Sequence, residues 1–335
     1  MREPGFWRTT SRWSRGSAPV TRLLLTPVSA LYAWIGARKI AQAAPYDCGV
    51  PVICIGNLTV GGVGKTPLTL FLRNYIEDRF GLRTATLSRG YGGTLKGTVR
   101  VDALANTASE VGDEPLMMAG SGESWIGADR VAAARRMVEA GVQVILMDDG
   151  FQNPGLKKTF SIVAIDASNP FGNGFIFPKG PLREPVAAGL DRADMVVMMG
   201  DGDVPASVLE SGIAVLRAHV RPDAAPPPGR YIGFAGIGNP LKFFDTLNEF
   251  EGVELPETVP YPDHYPYTNS DLSYLRSLAQ LRDATLITTE KDYARMSPEH
   301  REGLLFLPVA AHFNQPGDME KLDDALATAL KQHPQ

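Results

Sequence analysis

Gly56-Asn57-Leu58-Thr59-Val60-Gly61-Gly62-Val63-Gly64-Lys65-Thr66 lies between an apolar run at 52–55 and a stretch of helical spacing at 68–78. Strand, glycine-rich loop, helix is the context in which such a sequence cradles phosphate. Glycines let the backbone curl until its amides converge on an anion, and the following helix adds the positive end of its dipole. Lys65 is placed to reach the β- and γ-phosphates of a nucleotide, and the Thr66 hydroxyl to bind Mg2+. Pro67 suits a first helical turn, where no backbone donor is needed. The strict pattern has glycine where this chain has Thr59, so the signature is a variant carried by Gly61, Gly62 and Gly64. A glycine-rich turn with an incidental Gly-Lys-Thr would lack the flanking strand and helix.

Outward from the loop, the runs 84–87, 142–147, 161–165 and 195–199 read as buried strands, and 125–140 as a helix leading into the third of the five. This alternation predicts an α/β fold of the P-loop NTPase type: a mostly parallel sheet with helices on both faces. The run 142–147 ends in Asp148-Asp149. Parallel topology brings strand ends to one edge of the sheet, where acids beside a phosphate loop bind Mg2+. Two solvated acids opening a turn before Gly150 are the plainer account; the neighbouring phosphate loop favours the functional one. A guanine-reading Asn-Lys-x-Asp is missing, and Glu290-Lys291-Asp292 only approaches it, so the expected nucleotide is ATP.

The stretch 221–230, with Pro222, Pro226, Pro227, Pro228 and Gly229, reads as a linker. Beyond it, strands at 231–235, 284–288 and 304–308 alternate with helices at 240–249, 270–281 and 319–331, predicting a second, smaller α/β domain. The expected spans are an N-terminal helical segment at 1–45, a P-loop kinase domain at 46–222 and a C-terminal domain at 223–335. The last helix is a candidate to pack back on the first domain.

With 335 residues, 44% hydrophobic and 21% charged, the chain is long enough for two domains. A net charge of -4 gives no polyanion-binding signature and excludes nucleic acid as an expected partner. The charge is uneven. Up to Ala44 there are Arg2, Arg8, Arg12, Arg15, Arg22, Arg38 and Lys39 against Glu3, together with three of the four tryptophans, Trp7, Trp13 and Trp34. The apolar core of this segment, 23–37, is shorter than the roughly 20 residues of a spanning helix and is interrupted by Pro27. Basic residues and tryptophans around a short apolar helix predict an interfacial, monotopic contact with a membrane surface. A buried domain helix is a rival, and so is a signal peptide cleaved after Ala41-Gln42-Ala43. Arg38 and Lys39 inside the supposed cleavage region, and the need for ATP downstream, weigh against the latter. Cys48 and Cys54 are the only cysteines, so no disulfide framework and no Cys/His metal spacing is expected.

Several further motifs occur in a fixed order. Ser88-Arg89-Gly90-Tyr91-Gly92 follows the second strand, then Val111-Gly112-Asp113-Glu114-Pro115 and Asp148-Asp149-Gly150-Phe151-Gln152. Gly180-Pro181-Leu182-Arg183-Glu184-Pro185, Pro262-Asp263-His264-Tyr265 and Thr289-Glu290-Lys291-Asp292 complete the set. In this order, over about 56–292, the chain resembles the tetraacyldisaccharide 4'-kinase family of lipid A biosynthesis. The resemblance implies transfer of the ATP γ-phosphate, with Mg2+, to the 4'-hydroxyl of tetraacyldisaccharide 1-phosphate, giving lipid IVA. It implies action at the cytoplasmic face of the bacterial inner membrane, and no protein partner is expected.

The resemblance also assigns roles. Asp113 and His264 match a catalytic pair, the carboxylate accepting the sugar proton and the imidazole orienting it. Lying on opposite sides of the linker, they imply an active site in a cleft between domains. Lys65 acts on the transferring phosphate, and Gln152 matches a nucleotide contact. Tyr91, Glu114, Arg130, Asn173, Arg183 and Glu184 match substrate-lining positions, although Arg130 also fits a solvated helix face and Asn173 a turn. Asn153 departs from the His common in the family and cannot titrate near neutral pH. Two rivals remain: a soluble P-loop metabolite kinase, which leaves the N-terminal segment unexplained, and a membrane-bound nucleotide switch, which needs no Asp113–His264 pair.

Overall fold

A computed structural model describes residues 4–9 and 15–331; Arg2, Glu3, Arg12 and Trp13 of the basic segment lie outside the described residues. The chain forms two compact units, Met1–Arg89 with Gly127–Val220 and Ala311–Gln335, and Gly90–Ile126 with Arg221–Ala310. They differ from the continuous spans 46–222 and 223–335 read from the sequence. Gly90–Ile126 joins the second unit, and the C-terminal helix Asp318–Lys331 returns to the first. The reason for the return is apolar. Leu322, Leu326, Ala329 and Leu330 are buried in the core built on the phosphate-loop strand, and Asp323 accepts hydrogen bonds from Tyr75 and Arg79.

In the first unit, Val52–Gly56 is the central strand. Val144–Asp148 and Phe160–Asp166 flank it in parallel. Thr84–Ser88 lies beyond the former, and Met195–Met199 then Ala214–Pro222 beyond the latter. The chain builds outward on one side of the central strand and then on the other, so its carboxyl end is the topological switch point where open α/β sheets bind ligands. Its neighbours on both faces explain why these strands read as continuous apolar runs. The helix Lys65–Phe80 starts at the loop lysine itself and drives Leu68, Leu72 and Ile76 into the core against Ile53, Ile55, Leu146 and Val197.

The expected helix at 125–140 divides in two. Ser124–Ile126 is a short strand of the second unit, paired antiparallel with Val99–Arg100, and the helix is Arg130–Glu139. Asp129 sets its start by accepting from the amides of Val131 and Ala132, both at 3.0 Å, the N-cap chemistry of aspartate.

The second unit holds a four-stranded parallel sheet in the order Val253–Pro260, Gly229–Ala235, Thr285–Thr289, Leu304–Leu307. Tyr231 and Ala235 pack with Phe243, Phe244 and Leu247 of helix Pro240–Asn248. Ile232 and Phe234 pack with Leu272, Leu275 and Leu278 of helix Asn269–Arg282. Alternate residues of one strand thus serve opposite faces, with a helix on each. Val253–Pro260 escaped the sequence reading because it is an edge strand with alternating burial and a register shift between Glu254 and Glu257, where Pro256 is tolerated. Strands run up to the proline-rich stretch from both sides, leaving 223–228 between them.

The N-terminal helix Pro19–Ala41 is one 23-residue element that continues through Pro27. By length and composition it can cross a membrane, whereas the sequence reading had Pro27 interrupting a shorter core. Val20, Leu23, Leu24, Leu31, Trp34 and Ile35 are exposed along it. Trp7, expected at an interface, is instead buried; its Nε1–H donates to the Pro178 carbonyl at 3.1 Å and its ring meets Phe177 edge-on. Arg22 is also buried and donates to the carbonyls of Phe6 and Thr9, each at 2.7 Å.

Gly56 ends the central strand where a Cβ would lie 2.3 Å from Phe151 Cβ and 3.3 Å from its Cα. Gly56→Ala must therefore displace backbone and is expected to cost about 1–3 kcal/mol. Urea unfolding will show this as a lower midpoint at unchanged slope.

Candidate active site

The phosphate loop is built by conformation first. Gly64 caps the helix Lys65–Phe80 at φ 83° and Gly61 sits at φ 127°, both left-handed. A Cβ at position 64 would also crowd Met199 Cε at 2.9 Å and Val220 Cγ2 at 3.2 Å. Thr59, where the strict pattern has glycine, is not among the positive-φ residues. Its carbonyl accepts from Asn57 Nδ2 at 2.7 Å and Arg183 Nε at 3.1 Å, bonds that any residue could accept. The 180–185 motif is a brace for this loop. Val60 N–H donates to Pro181 O and Arg183 N–H to Leu58 O, both at 2.7 Å.

Asp149 stands at φ 50° after the acidic strand. Arg183 grips it as a fork, Nη1 to Oδ1 at 2.9 Å and Nη2 to Oδ2 at 3.2 Å, and Lys65 Nζ lies 3.5 Å from Oδ1. Burial alone would raise this carboxyl's pKa; the charges of Lys65 and then Arg183 outweigh it and hold it below the usual carboxylate value. Asp148 is buried and accepts from Thr69 Oγ1 at 3.2 Å. Thr66 is the second residue of the loop helix.

Gln152 bonds to protein: its Nε2 donates to Asn57 O at 2.9 Å and Glu184 Oε1 at 3.0 Å, and its Oε1 accepts from Arg183 at 3.3 Å. Glu184 is buried and accepts from Arg192. Arg192 lies over the Phe151 ring, and Lys158 donates to the carbonyls of Phe151 and Asn153, each at 2.8 Å. Asn153 Oδ1 accepts from the Gly155 amide at 2.9 Å, a turn bond that needs no titration. The Asn173 amide holds the carbonyls of Phe6 and Lys179 and the amide of Phe175, all at 3.1 Å. Gln152 thus ties Glu184 to the loop at Asn57, and Asn173 fixes its own turn and the Phe6 carbonyl. Arg130 is not on a solvated face. It is buried, donates to Gly127 O, and leaves Nε without a partner. Burial, then the charge of Arg89, lowers its pKa to about 10.

The second unit carries a separate cluster. Gly112, at φ 95°, precedes helix Asp113–Ala119, and a Cβ there would lie 2.5 Å from the Tyr91 carbonyl. Asp113 Oδ2 lies 2.7 Å from His264 Nδ1 and accepts from Arg295 Nε at 2.6 Å. Burial would raise the Asp113 pKa; the His264 hydrogen bond and then Arg295 hold it below the usual value. His264 is half-exposed at φ 57°, on a turn packed by Tyr261, Tyr265 and Tyr267. Beside it, Glu114 pairs with Lys291 at 3.4 Å, and Tyr91 is exposed. The sequence reading set Asp113 and His264 in different domains. The structure joins them in one unit because Gly90–Ile126 folds with Arg221–Ala310. Arg295 was missed; its only sequence signal is the three-residue spacing from Asp292, which marks a helix pair and not a site.

The profile of tetraacyldisaccharide-1-P 4'-kinase matches residues 21–330. The chain belongs to the tetraacyldisaccharide 4'-kinase family. It is 52% identical to the tetraacyldisaccharide 4'-kinase of Hyphomonas neptunium, over 99% of this chain and 98% of that one. To the Maricaulis maris enzyme it is 45% identical, over 96% of this chain and 95% of that one. The crystal structure of an Aquifex aeolicus family member in complex with ATP superposes with a TM-score of 0.74 at 25% identity, covering 92% of this chain and 99% of that one. The fold is thus that of the family.

The fork on Asp149 supplies a pH test. A depressed pKa means that the pair's stabilisation is present above the usual carboxylate range and lost as pH falls through the depressed value. Arg183→Gln is expected to move the Asp149 titration to higher pH, read by carboxyl-carbon NMR.

Proposed function

We propose that the chain transfers the γ-phosphate of ATP to the 4'-hydroxyl of tetraacyldisaccharide 1-phosphate, giving lipid IVA in lipid A biosynthesis. The observation that carries this is the near full-length match to kinases of that name in a chain whose phosphate loop, Lys65, acidic pair and Asp113–His264 pair are all intact.

Loop amides and Lys65 hold the transferring phosphate and offset the charge that develops on it. Asp113, kept ionised by its neighbours, accepts the proton of the attacking hydroxyl, and His264 orients the carboxylate. Arg130, a buried cation with an unpaired N–H, fits an anionic oxygen. Among the described residues no cluster of three or more His, Cys, Asp or Glu forms a metal cage. This suits Mg2+, which takes one or two protein oxygens and completes its shell with phosphates and water. Thr66 and Asp149 are the residues to hold it, and when bound it would neutralise phosphate charge.

The exposed apolar side chains of Pro19–Ala41 support a peripheral place on the membrane, at the cytoplasmic face where ATP is available. A groove of about 390 Å3 beside this helix is lined by Val20, Leu23, Thr26 and Phe175, with Arg22 and Lys179. Apolar walls with the Lys179 cation suit an anionic lipid.

Transfer from labelled ATP to tetraacyldisaccharide 1-phosphate in detergent micelles with Mg2+ tests the reading. Asp113→Ala is expected to lose about 10²–10⁴-fold in turnover, with ATP binding retained. A folded, ATP-binding chain with no transfer would reject the lipid kinase, and undiminished function in Asp113→Ala would favour a nucleotide switch. Replacing Leu23, Leu24 and Leu31 by Gln should weaken co-sedimentation with liposomes and leave ATP binding unchanged; equal sedimentation would remove the membrane role of this helix.

A further inference from the structure

We propose that Arg295 is a positioning residue of the transfer: with His264 it occupies Oδ2 of Asp113, leaving Oδ1 as the atom that takes the sugar proton. The inference rests on the reading of Asp113 as proton acceptor.

A carboxylate oxygen offers two in-plane lone pairs. Arg295 Nε at 2.6 Å and His264 Nδ1 at 2.7 Å use both on Oδ2. Among the described residues no hydrogen bond reaches Oδ1. The two oxygens are therefore inequivalent before substrate arrives. When the hydroxyl attacks, its O–H bond breaks and the proton passes to Oδ1. The new O–P bond forms as the bond between the γ-phosphorus and ADP breaks, and Asp113 becomes a neutral acid.

The guanidinium is itself anchored. Its side chain is 6% exposed. Nη1 donates to Asp292 Oδ1 at 2.7 Å and to Gly236 O at 2.9 Å. Asp292 is fully buried and is held by the Gly236 amide at 3.0 Å and Thr289 Oγ1 at 2.7 Å. The Gly236 carbonyl that receives Arg295 also accepts from the His264 backbone amide at 3.0 Å. One planar group thus sets both members of the pair, the carboxylate directly and the His264 turn through a shared carbonyl. A lysine cannot reproduce this, having a point charge in place of a fork.

The titratable and charged groups around the Asp113 carboxylate are His264 and Arg295 in contact, Asp263 3.9 Å from His264 Nε2, Asp292 behind Arg295, and the Glu114–Lys291 pair beside them. Loss of the Arg295 charge leaves His264 alone to offset burial, so protonation of Asp113 moves to higher pH.

The test uses the full chain in micelles. Arg295→Lys keeps the charge, and Arg295→Gln with Asp292→Asn removes the buried ion pair as a neutral pair. In Arg295→Lys, kcat is expected to fall about 10²-fold, the cost of a displacement near 1 Å, with KM for ATP and the acid limb of kcat little changed. In the double variant kcat falls at least as far and the acid limb moves to higher pH. Should the double variant not fold, Arg295→Lys answers alone through its split between kcat and KM. Wild-type kcat in a folded Arg295→Lys overturns the proposal, as does an unmoved acid limb in a folded double variant. Asp113→Asn separates the two readings. If it retains full turnover, the proton acceptor is wrong. If it is inactive while the Arg295 variants are normal, only the role of Arg295 fails.

Discussion

The Asp149 carboxylate joins three segments far apart in the chain. It follows the acidic strand, faces Lys65 at the start of the loop helix, and is gripped by the Arg183 fork from the brace that runs along the phosphate loop. A loop rich in glycine has the freedom to curl around phosphate and, by the same freedom, many other conformations to occupy. The bonds from Val60 to Pro181 and from Arg183 to Leu58 and Thr59 remove most of them. Gln152, Glu184 and Arg192 repeat the strategy one layer out. Arg183 and Gln152 thus help to hold the loop ready, so less order has to be imposed when an anion arrives.

The second unit uses buried charge differently. Asp292, Arg295, Asp113 and His264 form a hydrogen-bonded chain that runs from a fully buried carboxylate to a half-exposed imidazole. Burying such groups costs several kcal/mol per ion unless each is paired and hydrogen-bonded. Here Asp292 is satisfied by the Gly236 amide and Thr289, whereas Arg295 keeps a buried Nη2 without a partner among the described residues, and Asp113 is held below the usual carboxylate pKa by His264 and Arg295. The left-handed backbone at His264, on a turn packed by the tyrosines around it, is a local conformational cost.

The N-terminal helix departs from the economy of the rest. Its large apolar side chains face solvent while Trp7 ties the preceding segment to the loop that includes Pro178 and Arg22 ties it to the helix. An exposed apolar stripe of this kind is unfavourable in water.

Much of this was legible in the sequence. Loop, strands and acidic pair are local patterns: glycine spacing, apolar runs and the residue at a strand end are set by backbone sterics and the hydrophobic effect over a few residues. The pairing of Asp113 with His264 was implied by resemblance, and the geometry agrees. The division into units was not legible, because a helical apolar face states that Asp318–Lys331 must be buried but not where. Nor was the fate of polar groups. Gln152, Asn173 and Arg295 carry donors and acceptors whose partners lie as much as 182 residues away for Arg295 and Asp113, and only the folded chain brings those partners within hydrogen-bond distance. The sequence by itself determined the buried strands around the loop and the phosphate chemistry of the loop. The tertiary structure alone decided which side chains became scaffold and which stayed available, because hydrogen bonding and desolvation depend on distances that no local pattern encodes.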